Sequence, residues 1–174
     1  MLRKELQPPK INNELVKELM QLIDEISELF DEYYEEYYIK KEKTILNEKI
    51  DCLNSKVEKE YEPMDFANYL ASTSLEEISK MVALPNPPII KDITIEETTE
   101  IIEIIANLEW PQEIDEVEEV DIYIEYYLEL MGKSIPNKDI SDLIYWYDVE
   151  EYGHEPTARE IAEKAFKMRE VNVL

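Results

Sequence analysis

The chain has 174 residues, two glycines, one cysteine, one histidine and a net charge of −24. That length suits one ordinary domain or two small ones, and 12 tyrosines with 44% hydrophobic residues supply a core that a disordered acidic tail lacks. The balance excludes nucleic acid, anionic membranes and phosphorylated substrates as natural partners and favours basic surfaces. With only Gly132 and Gly153, hairpin-rich β folds and phosphate-cradling loops have few sites for the positive φ angles they need. Cys52 has no intrachain disulfide partner and is expected to be a small buried apolar residue. His154 alone gives a histidine zinc site or a catalytic dyad little to build on. Residues 1–10 are short, charged and hold two prolines, unlike a signal peptide, and no apolar run reaches transmembrane length. The expected location is cytoplasmic.

In chain order, residues 12–61 read as a helical hairpin bounded by Pro8, Pro9 and Pro63. Leu15, Leu19, Leu22, Ile23, Ile26, Leu29, Phe30 and Tyr33 recur at helical spacing, and Ile45, Leu46, Ile50, Leu53, Val57 and Tyr61 form a second stripe. The polar residues 40–43 are either a turn or part of one continuous helix. The stripes can bury each other as an antiparallel pair or pair with a second copy of the chain, which makes Leu15, Leu19, Leu22, Ile26 and Leu29 oligomerisation candidates in a homodimer.

Beyond Pro63 the pattern predicts short helices. Ser74 with Glu77 and Thr94 with Glu97 have capping-box spacing, and the helices they open end before Pro85 and near Pro111. Residues 85–91 form a proline-rich extended linker. Residues 115–131 are again helix-periodic, with Gly132 placed to end the helix, although β-branched and aromatic residues leave a short strand open over 120–127. One helix is expected over 139–152, stopped by Gly153, and a last one from Thr157 and Glu160 to about Arg169. Trp110 and Trp146 are expected to anchor the core. The predicted architecture is mainly α: an N-terminal hairpin over 1–62, then an acidic helical domain over 63–174, divisible at 85–91.

The charge is unevenly placed. Residues 1–61 carry a net −5 and residues 62–174 a net −19. Residues 92–132 hold 14 acidic side chains and no lysine or arginine, and residues 92–155 hold 20 acidic against 2 basic. A solvated helix normally mixes signs, because like charges at i,i+4 destabilise it by ~0.2–0.5 kcal/mol per pair. Glu96, Glu100 and Glu103 share a helix face, and Asp121, Glu125 and Glu129 form a column at i, i+4 and i+8. The rival explanation is a solubility coat. A partner bringing cations would relieve the repulsion, and several acidic helices side by side approach the charge density of duplex DNA, one charge per ~1.7 Å. The partner-binding candidates are therefore Glu96, Glu97, Glu100, Glu103, Asp115, Glu116, Glu118, Glu119, Asp121, Glu125, Glu129, Asp142, Asp148, Glu150, Glu151 and Glu155.

The stretch 142–155 (Asp-Leu-Ile-Tyr-Trp-Tyr-Asp-Val-Glu-Glu-Tyr-Gly-His-Glu) resembles the C-terminal region of the ArdA-type antirestriction family, where an aromatic-acidic helix leads into a Glu-x-Tyr-Gly turn. Glu150, Glu151, Tyr152 and Gly153 stand at those places; His154 replaces the family's frequent arginine, and Glu155 its aspartate. Glu118, Glu119 and Asp121 leading to Tyr126, Tyr127, Leu130 and Gly132 are similar to the preceding helix. The family begins with a mixed α/β domain, which the N-terminal hairpin here does not match. The resemblance implies a dimeric DNA mimic, borne by phage or mobile elements, that fills the DNA groove of a type I restriction enzyme. A CRISPR nuclease, whose channels are also basic, is the alternative target.

Enzyme motifs are missing. The sequence has no EF-hand loop, no His-Glu-x-x-His, no Walker loop and no nucleophile elbow. The expectation is no catalytic residue, no metal, no cofactor, no membrane and no direct nucleic-acid contact, with a basic DNA- or RNA-binding groove as partner. The rival is an acidic adaptor that oligomerises through the N-terminal helices.

Overall fold

A computed structural model describes residues 2–67, 69, 73–107, 117–135 and 140–171. The chain forms two compact units, one of Pro9–Asn86 and one of Met1–Pro8 with Pro87–Leu174. Among the described residues there are eight α-helices and no strand. The division falls within the proline-rich 85–91. The boundary expected at residue 62 lies inside the first unit.

In the Pro9–Asn86 unit, α1 (Asn13–Tyr34) opens where the Asn12 Oδ1 accepts hydrogen bonds from the backbone N–H groups of Glu14 and Leu15, at 3.1 and 3.3 Å. It runs into a π-turn, Glu35–Lys40, closed by Lys41 in the left-handed region at φ 57°. The helix is thus broken after Lys40 and does not run continuously through 41–43. Thr44 N donates to Asn47 Oδ1 at 2.7 Å where α2 (Ile45–Asn54) begins. Ion pairs Lys49–Glu25 (2.5 Å) and Lys56–Glu18 (2.7 Å) set α2 antiparallel to α1.

Ten residues of α2 span ~15 Å against ~33 Å for the 22 of α1. The rest of the α1 stripe is covered by a 3-10 turn (Pro63–Phe66) and α3 (Leu75–Ala83). Leu19, Ile23, Ile26, Leu46, Leu53, Phe66 and Val82 share one core. Each such side chain contributes ~1.5–3 kcal/mol on burial, and this joining of distant segments is why the unit extends past residue 62. Tyr33 and Tyr37 pack on that core from its edge. Cys52 is exposed, contrary to expectation, because it stands off the stripe that buries Leu46, Ile50 and Leu53.

The second unit gathers α4 (Ile95–Asn107), α5 (Val117–Ser134), α6 (Ile140–Tyr145), α7 (Val149–Tyr152) and α8 (Ala158–Val171). Its core holds Ile101, Ile102, Ile105, Tyr127, Leu130, Met131, Ile161, Ala162 and Ala165. α8 packs on α4 and α6, and α5 packs on α4 and α6. The chain's first residues belong here: Leu2 and Leu6 are buried, and the Arg3 guanidinium spans both carboxylate oxygens of Asp92 at 3.0 Å.

Two helix expectations change, and one open alternative closes in favour of the helix. Residues 120–127 are helical throughout. Gly132 does not end α5, which continues to Ser134 and closes where Ser134 Oγ accepts the Ile90 N–H at 2.9 Å. The helix expected over 139–152 is two, because Asp148 accepts the N–H groups of Glu150 and Glu151 at 2.8 and 3.4 Å and starts α7. Gly153, at φ 74°, then closes α7 as expected of a residue without a Cβ.

Candidate functional site

The carboxylates of the second unit are placed by capping as much as by helix faces. Thr94 and Glu97 form a reciprocal capping box at 3.0 and 3.1 Å, which fixes the first turn of α4. Glu96 and Glu103 are exposed, whereas Glu97 and Glu100 are half-buried. On α5, Asp121 and Glu125 are exposed and Glu129 is half-buried. Asp142, Asp148, Glu150, Glu151 and Glu155 are exposed around α6 and α7. Asp115 and Glu116 lie outside the described residues; Glu118 and Glu119 fall in the first turn of α5, with side chains outside those described.

Tertiary structure supplies cations that the segment itself lacks. Arg3 binds Asp92 and reaches Glu97 at 3.1 Å. Arg159 of α8 stands 3.9 Å from Glu96, and Lys164 of α8 bonds Glu151 at 2.5 Å while lying over the Tyr152 ring. Lys133 pairs with Glu129 one turn away at 2.7 Å. By units the net charges are −9 for Pro9–Asn86 and −15 for the second unit, a milder split than the one across residue 62, because residues 62–86, with a net −3, belong to the first unit and residues 1–8, with a net +1, to the second.

The neutralisation is partial. Among the described residues, Glu103, Asp121, Glu125, Asp142, Asp148, Glu150 and Glu155 have no lysine or arginine within ion-pair distance. Asp148 spends its carboxylate on the α7 cap, and Glu155 accepts from the Tyr147 hydroxyl at 3.2 Å. Asp121 and Glu125 of α5 also bear on α6: partial desolvation, and then the charges of Glu125 and Asp121, hold the Tyr145 phenol above its ordinary value. The carboxylates left open thus lie on α4 at Glu103, on the outer face of α5, and along α6 and α7.

Trp146 does not anchor the core. It is 82% exposed in the connector between α6 and α7, with Tyr145 and Val149 also about half exposed. Trp110 lies outside the described residues. His154 is exposed just past Gly153, and its Nε2 lies 3.1 Å from Glu160 Oε1. Glu160 closes a capping box with Thr157 at the start of α8. Its bonds from the Thr157 backbone, then the Thr157 hydroxyl, then His154, bring its carboxyl down from 4.5 to about 2.

The oligomerisation candidates are mostly used within the chain. Leu19, Leu22 and Ile26 are buried in the first unit's core, and Leu15 and Leu29 pack against it. Among the described residues no His, Cys, Asp and Glu group has the arrangement to hold a metal ion, and no helix is long and apolar enough to cross a membrane. Comparison with protein-family models, curated proteins and solved structures finds no match to this chain.

Proposed function

We infer that the second unit binds a basic protein surface, and that this surface is the nucleic-acid groove of a DNA-targeting enzyme, which the chain inhibits by occupying it. The reading is carried by one observation: among the described residues the exposed carboxylates of Asp121, Glu125, Asp142 and Glu150 on α5, α6 and α7 have no lysine or arginine within ion-pair distance, while Arg3, Arg159 and Lys164 pair with Asp92, Glu96 and Glu151 of the same unit. Lys133 is the one basic residue in the described part of 92–155, and it is already paired. Such a surface repels DNA and competes with it for cationic grooves. The likeness of Glu150, Glu151, Tyr152 and Gly153 to the ArdA-type turn makes a type I restriction enzyme the first target to test and a CRISPR nuclease the second. An adaptor acting through the stripe over 15–29 would have to open a core that α2 and α3 already fill.

The test is a DNA-protection panel with both enzyme classes. The chain is expected to protect DNA at low salt, to lose ~10-fold or more in potency between 50 and 200 mM salt, to be displaced by competitor DNA, and to give no DNA mobility shift of its own. Inertness across the panel, or direct DNA binding, overturns the reading.

A further inference from the structure

Within the open zone one residue is out of keeping with a purely electrostatic surface. Trp146 is 82% exposed, the most exposed of the large hydrophobic side chains among the described residues. Its position is fixed by its neighbours. Trp146 N donates to Asp142 O at 2.8 Å, closing the last turn of α6. Two residues on, the Asp148 cap starts α7. The indole therefore sits in a short connector pinned at both ends.

The segment that carries it is anionic in sequence. Residues 139–155 contain six carboxylates and no lysine or arginine. Asp142, Asp148 and Glu150 are exposed within four residues of it, and Asp121 and Glu125 act on the adjacent Tyr145. An indole face presented among carboxylates is complementary to one side chain above all: arginine, whose planar guanidinium stacks on the ring while its N–H groups bond the neighbouring carboxylates. Lysine satisfies the charges but has no plane to stack.

We propose that Trp146 is the anchor of the acidic surface, and that it takes an arginine side chain of the partner, flanked by Asp142 and Asp148. The proposal rests on the basic-partner reading above and names the group that the surface selects. It makes the surface specific for arginine-bearing basic proteins over lysine-bearing ones.

The test uses the full chain, with deca-arginine and deca-lysine peptides as probes, titrated by calorimetry at low salt. Wild type is expected to bind deca-arginine ~2–5-fold more tightly than deca-lysine beyond any preference that the Trp146→Ala variant retains. Trp146→Phe, which keeps a π face, should retain part of the difference. Because the side chain is exposed, unfolding midpoints should be the same for all three proteins. If both peptides bind and Trp146→Ala leaves their ratio unchanged, the anchor is overturned while the basic-partner reading stands. If neither peptide binds, both fall. A concentration-dependent dimer that Trp146→Ala abolishes assigns the indole to a second copy of the chain and likewise overturns the proposal.

Discussion

Glu125 is the centre of the like-charged column on α5, four residues from Asp121 and four from Glu129, and it has no lysine or arginine partner among the described residues. Replacing it with lysine removes two repulsive i,i+4 pairs and creates two attractive ones. At ~0.2–0.5 kcal/mol for each of these terms the full effect is ~0.8–2 kcal/mol. Two features reduce it: Glu129 is already held by Lys133 at 2.7 Å, and the exposed positions are screened by solvent. Glu125→Lys is therefore expected to raise the unfolding free energy by ~1 kcal/mol, and Glu125→Gln, which only removes repulsion, by about half as much. Urea unfolding followed by circular dichroism at 10 mM salt reads both. The same variants should bind deca-arginine more weakly than wild type, with Glu125→Lys the weaker of the two. Stability and binding thus move in opposite directions, as expected where a charge is kept for its partner rather than for the fold. The reasoning is refuted if neither variant is stabilised at low salt, or if the gain persists undiminished at 1 M salt, where the Debye length is ~3 Å.

The two glycines should respond with opposite signs: neither added Cβ meets an atom within 4 Å, so only the backbone decides. Gly132→Ala, inside α5, should stabilise by ~0.5–1 kcal/mol, whereas Gly153→Ala, at φ 74°, should cost ~1 kcal/mol or more, both read by urea unfolding. The Glu160 carboxyl gives a pH signature. Its folded-state value, about 2, lies below the ordinary 4.5, so its contribution is fully present above 4.5 and is lost as pH falls towards 2. The stability difference between wild type and Glu160→Ala should accordingly shrink between pH 5 and 2, and a difference that stays constant over this range would disprove the assignment.

What was legible in the sequence was local. Ser74 with Glu77, Thr94 with Glu97 and Thr157 with Glu160 all form the side-chain-to-backbone bonds their spacing predicts, because a capping box closes within four residues. The pairing of the stripes led by Leu19 and Leu46 was legible for the same reason of regular period. What escaped was decided at long range or by a single dihedral angle. The reach of Phe66 and Val82 onto α1 moved the unit boundary beyond residue 62, and nothing in a helical period marks Leu2, Arg3 and Leu6 as part of the distant second unit. Gly132 keeps α5 going because it does not take the left-handed conformation that Gly153 takes. The split between α6 and α7 did have a signal: Asp148 precedes Glu151 by the same three residues that mark the other helix starts. The expectation that a large aromatic anchors the core did not take that cap into account and placed Trp146 inside.

That cap links the two features on which the proposed function rests. By ending the reach of α6 and starting α7, Asp148 leaves Trp146 outside both helices and itself stands as one of the exposed carboxylates beside it. A coat that served only solubility would gain nothing from a tryptophan in water, since exposed apolar surface works against it. Nor does a coat account for Asp142 and Glu150 standing without a lysine or arginine, among the described residues, while Arg3, Arg159 and Lys164 serve Asp92, Glu96 and Glu151. The proposed interface would use both, the carboxylates to draw in cations and the indole to give one of them a fixed place to stack.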